Sequence, residues 1–149
     1  ESHPAVARGY NNLGGAWDAL GEHHKGIEYY EQALAIDRAV YGESHPAVAR
    51  DYNNLGAAWD DLGEPRKGIE YFEQALAIDR AVYGESHPAV ARDYNNLGFA
   101  WNALGEARKG IEYYEQALAI FTAVYGSEHP STQTVQRNLD ALKNYKDFT

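Results

Sequence analysis

Apolar residues fall at Val6, Tyr10, Leu13, Trp17 and Leu20, at spacings of four, three, four and three, and therefore share one stripe of an α-helix. This spacing predicts a first helix, A, opening at Ser2-His3-Pro4 and closing at Gly21. A polar cap followed by proline suits a first turn, where the missing N–H costs nothing, and glycine suits the left-handed residue that ends a helix. A second series, Ile27, Tyr30, Ala33, Leu34 and Val40 with Tyr41 after it, predicts helix B, ending at Gly42. Two helices of roughly 16 to 19 residues, about 25 Å long and joined by a short turn, lie antiparallel.

The phrase YGESHPAVARDYNNLG runs from Tyr41 to Gly56 and again, letter for letter, from Tyr83 to Gly98. Counted from ESHP, copies start at Glu1, Glu43 and Glu85, a period of 42, and a variant fourth start follows at Ser127. The expected units are residues 1–42, 43–84 and 85–126, closed by a half-repeat at 127–149, together one domain. Repetition this close is the signature of a solenoid, in which each unit packs on its neighbours. Pro65 falls at the expected first turn of helix B in copy two. Gly14 and Gly26, with Gly56, Gly68, Gly98 and Gly110, fall inside helices, where each costs about 1 kcal/mol against alanine. Close approach of helix A to helix B is the offset that this pattern predicts.

The run Tyr10-Asn11-Asn12-Leu13-Gly14, then Ala16-Trp17, Gly21, Ile27, Tyr29-Tyr30 and Ala33-Leu34, resembles the tetratricopeptide repeat. Gly26 stands where that family usually has alanine, and no proline follows Ile36 to end a 34-residue unit. The longer form, with ALAI, YG, HPAVA and NNL, is similar to the 42-residue repeats of kinesin light chains and their bacterial relatives. The resemblance implies an all-α, right-handed solenoid of antiparallel helix pairs: three repeats and a C-terminal capping helix. It also implies a concave groove lined by one face of the A helices. In the closing segment Pro130 and Asn138-Leu139 persist, while Thr132, Asp140 and Lys143 replace valine, glycine and tryptophan, as a solvating end helix requires.

Composition narrows the partners. The net charge is −9, which sets a repulsive field against phosphates and argues against nucleic acid. No apolar run is long enough to span a bilayer, so no membrane partner is expected. The chain contains no cysteine, in keeping with a reducing, cytoplasmic setting. His3, His45, His87 and His129 recur once per unit, always before proline, and read as caps rather than metal ligands. His23-His24 replaces Pro65-Arg66 and reads as a surface substitution. GEPRKG lacks the ending of a phosphate loop, and Glu28 with Glu31 reads as a solvated face. Hence no catalytic residues, no cofactor and no metal are expected.

A second stripe lies beside the apolar one on helix A. It reads Arg8, Asn12, Gly15, Ala19 in copy one, Arg50, Asn54, Ala57, Asp61 in copy two and Arg92, Asn96, Phe99, Ala103 in copy three. Asparagine matches a peptide N–H and C=O together, and arginine offers a fork to a carboxylate. The candidate peptide-binding residues are Arg8, Asn12, Arg50, Asn54, Arg92, Asn96, Phe99 and Asn138. Arginines pairing with Asp51 or Asp93, and asparagines bonding between helices, would account for the same residues structurally. The expected function is a non-enzymatic scaffold for a protein or peptide, acidic ligands included. The rival is self-association through the apolar face that the first helix A exposes, giving a homo-oligomer.

Overall fold

In a computed structural model, residues 3–147 are described, with side-chain surroundings described up to residue 144. The described residues form α-helices and connecting turns, in two compact units, Glu1–Val82 and Tyr83–Thr149. The first unit contains α1 (Pro4–Ala19), α2 (His23–Tyr41), α3 (Pro46–Asp61) and α4 (Pro65–Tyr83, its last residue falling to the second unit). The second contains α5 (Pro88–Ala103), α6 (Ala107–Tyr125) and α7 (Pro130–Asp147).

Both kinds of turn follow from local chemistry. After α1 the Gly21 N–H bonds Asp18 O at 3.0 Å and the Glu22 N–H bonds Trp17 O at 2.9 Å, a Schellman closure, with Gly21 at φ +85°. The same pair of bonds recurs at Gly63 and Gly105. At the other turn, His45 Nδ1 accepts the Ala47 N–H at 3.0 Å, and its ring stacks on Tyr41 with centroids 4.0 Å apart and planes 11° from parallel. His3, His87 and His129 cap α1, α5 and α7 in the same way. The histidines expected as caps are caps.

The paired helices cross where their glycines meet. A Cβ on Gly56 would lie 2.6 Å from the Phe72 ring, and one on Gly68 would lie 2.9 Å from Gly56 O. Gly14 and Gly26 make the same contact between α1 and α2, and Gly98 and Gly110 between α5 and α6. In the first unit Ile27, Tyr30 and Leu34 of α2 pack with Val48, Tyr52, Leu55 and Ala58 of α3 and with Ala75 and Ile78 of α4. In the second, Val135, Leu139 and Leu142 of α7 are buried, and Leu142 lies against Gly110.

Three positions of the expected apolar stripes differ. Leu20 is 73% exposed because the helix has ended and its side chain leaves the crossing. Val40 and Tyr41 also face outward, Tyr41 serving the His45 stack rather than the core. Leu13 is a fourth, 45% exposed where Leu55 is fully buried, as expected of the first helix A: Leu55 has the preceding helix α2 against it, and no described helix precedes α1.

Candidate functional site

The polar stripe of helix A emerges on α1 and α3 in the first unit. Arg8 and Asn12 are exposed. Arg50 is about half exposed and reaches back to two acids, with Nη2 3.6 Å from Asp37 Oδ2 and Nε 3.9 Å from Asp51 Oδ1. Asn54 donates to Asn11 Oδ1 at 3.4 Å, and Asn11 donates to Asp51 Oδ1 at 2.9 Å. Part of the stripe is thus bound into a network joining α1, α2 and α3, while Arg8, Asn12 and about half of Arg50 stay exposed.

Asp37 and Asp51 are the residues that hold this network; Asp51 was among the acids expected to pair with the arginines, whereas nothing in the periodicity pointed to Asp37. Both are fully buried on helix faces otherwise apolar. Burial is the first cause that pushes the Asp51 carboxyl up, to about 8; a hydrogen bond to Asp37 and that residue's charge add to it, while the Asn11 bond and the Arg50 charge oppose it. Asp51 therefore carries a proton near neutrality.

In the second unit Arg92 is half exposed beside Asp93, 3.8 Å away, and Asn96 is half-buried. Asn138 of α7 donates to Asn95 Oδ1 at 3.3 Å, the counterpart of the Asn54 to Asn11 bond. Phe99 is 58% exposed. It lines, with Asn138, Asn102, Ala107, Tyr114 and Leu142, a cleft of about 650 Å³ among α5, α6 and α7. Apolar wall and amide donors occur together there, as a peptide ligand requires.

A further cluster escaped the sequence reading. His23, treated above as a surface substitution, contacts Asp18 and stands near Asp61. Its signal was present in the repeat itself, because His23 and Asp61 are both departures from the other copies. No helix among the described residues is long and apolar enough to cross a membrane.

A comparison with curated protein sequences gives no match. Among solved structures the chain is similar to a kinesin light chain candidate with nearly identical TPR-like repeats from Podosopora anserina, at 27% identity and TM-score 0.84. The match covers 94% of this chain and 66% of that one. It is equally similar to BtubC (BKLC) from P. vanneervenii, at 27% identity and TM-score 0.84, covering 95% of this chain and 57% of the other. The chain thus spans somewhat less than two thirds of either relative. The N-terminal domain of stress-induced protein-1 from C. elegans shares the fold at 16% identity and TM-score 0.68, covering 94% of this chain and 96% of that domain. These are solenoid folds, and arrays of such repeats are in general protein-interaction scaffolds, a role needing surface rather than catalytic groups. One Tetratricopeptide repeat model matches residues 5–67 and a second matches 48–89 and 90–131, so most of the chain falls under them. The chain belongs to the tetratricopeptide repeat family.

Proposed function

We propose that the chain is a non-enzymatic, cytoplasmic scaffold that binds a peptide segment, acidic ones included, on the polar face of its A helices. The residues assigned are Arg8, Asn12, Arg50, Asn54, Arg92, Asn96, Phe99 and Asn138. The observation that carries the reading is the cleft of about 650 Å³ in which the exposed Phe99 ring stands beside Asn138. Covering such a ring is worth roughly 1.5–3 kcal/mol when burial is complete, enough to make it an anchor. The forks of Arg50 and Arg92 are 54% and 53% exposed, so a ligand carboxylate can reach them.

A peptide-library pull-down tests this, comparing the chain with Phe99→Ala and with Arg50→Ala/Asn54→Ala. Phe99→Ala installs the residue that Ala57 already supplies in copy two, so the fold is retained. Selected peptides should lose about tenfold or more in affinity. Unchanged affinity in both variants removes the site.

Self-association is the second reading, favoured by one observation: Leu13 leaves 45% of its surface exposed where Leu55 leaves none. Sedimentation over a concentration series tests it, and a strict monomer counts against it.

A further inference from the structure

Asp18 near the end of α1, His23 at the start of α2 and Asp61 at the end of α3 converge in the first unit. One ligand atom from each, a carboxylate oxygen or a ring nitrogen of His23, lies within 4.8 Å of the other two. His23 Nδ1 is 2.5 Å from Asp18 Oδ1. The Asp18 and His23 side chains are mostly buried, at 17% and 24% exposure, while Asp61 opens to solvent.

The repeat makes this convergence informative. The place of His23 is taken by Pro65 and Ala107 in the other copies, and that of Asp61 by Ala19 and Ala103. Copies one and two differ at few positions, yet two of those differences meet in space on a third group, Asp18. They do so across the junction of adjacent repeats. The arrangement holds two carboxylates close together, a repulsion that a shared proton, the His23 imidazolium or a bound cation relieves. Lys25, two residues beyond His23, lies 4.3 Å over the Trp17 ring.

We propose that Asp18, His23 and Asp61 form a divalent transition-metal site, suited to Zn²⁺ and open at its remaining position. One imidazole and two carboxylates are a borderline donor set, fitting Zn²⁺ or Co²⁺ better than Mg²⁺ or Ca²⁺, which take oxygen alone. Around a tetrahedral ion at about 2.0–2.2 Å the donor atoms stand roughly 3.4 Å apart. Binding opens the His23–Asp18 pair from 2.5 Å to that spacing and brings Asp61, within 4.8 Å of both, to the same distance. Binding displaces the proton between His23 and Asp18, and ties α1, α2 and α3 together, so metal raises the unfolding temperature.

The test is titration of the intact chain with ZnCl₂ by calorimetry, and with CoCl₂ by visible absorption, beside His23→Ala and Asp61→Ala. Each variant carries a residue that the molecule itself uses at the equivalent position, Ala107 for the first and Ala19 or Ala103 for the second. Both are therefore expected to fold, and circular dichroism checks this. The expected result is one ion per chain, a cobalt spectrum of low coordination number, and at least a tenfold loss of affinity in each variant. Absence of one-to-one binding overturns the proposal. Binding unchanged in both variants also overturns it, placing the ion on histidines elsewhere.

Discussion

The carboxamide of Asn11 donates to the buried carboxyl of Asp51 at 2.9 Å, linking α1 to α3 beneath the polar face proposed to bind peptide. Its consequence is a dependence of stability on pH. An ordinary aspartate loses its proton near pH 4, whereas burial and Asp37 push Asp51 up to about 8. Between those values the folded chain holds a proton that the unfolded chain has lost, so stability falls as pH rises through this window. Urea midpoints at pH 5, 6.5 and 8 should decline in that order. Asp51→Asn, which imitates the protonated acid and keeps an acceptor for Asn11, should flatten the decline; an unchanged slope would place the titration elsewhere.

Two glycine substitutions should have opposite signs. Gly56→Ala directs a methyl group to 2.6 Å from the Phe72 ring, which is itself buried and cannot withdraw cheaply. Overpacking of this kind costs about 1–3 kcal/mol, more than the roughly 1 kcal/mol gained in helix propensity. Gly9→Ala meets nothing within 4 Å inside α1 and should gain about 0.5–1 kcal/mol. Denaturation curves for the two variants measure both shifts.

The repeat offers a leucine at the same letter with different burdens. Leu55→Ala empties a fully buried site and should cost about 2–5 kcal/mol. Leu13→Ala removes a half-exposed side chain and should cost under about 1 kcal/mol. Equal losses in thermal unfolding would show that Leu13 is covered in solution, as self-association requires.

At the start of α3, His45 acts twice, as a cap for Ala47 and as a stacking partner for Tyr41. His45→Ala should cost about 1 kcal/mol for the cap and about 0.5–1.5 kcal/mol for the rings. His45→Asn keeps the cap alone and should recover the first part. Equal destabilisation by the two substitutions, read from chemical unfolding, would exclude the capping role.

Much of the fold was legible because its determinants are local. Spacings of three and four set the helices, Gly21 and Gly42 mark left-handed turn positions, and the histidine before each proline is a cap within two residues of its partner. Even the glycine crossings could be anticipated, since a cost repeated in every copy implies a contact repeated in every copy. Less of the candidate site was legible. The stripe of Arg50 and Asn54 was visible, but not that Asp37 and Asn11 would engage it, because those partners lie on other helices. Phe99 and Asn138 were separate candidates until α6 and α7 brought them to one cleft.

By itself the sequence determined seven helical segments, their turns and the glycine contact within each pair, all set by backbone preference and the 3.6-residue period. The sequence also implied that the first helix A leaves open the face that later copies bury, as Leu13 and Leu55 do; only tertiary packing decided which dissimilar letters meet, Asp18 with His23 and Asp61, and Asp37 with Arg50. Burial and proximity belong to neighbours in space. A repeat that spells the same residues in each copy leaves those neighbours open until the helices have stacked.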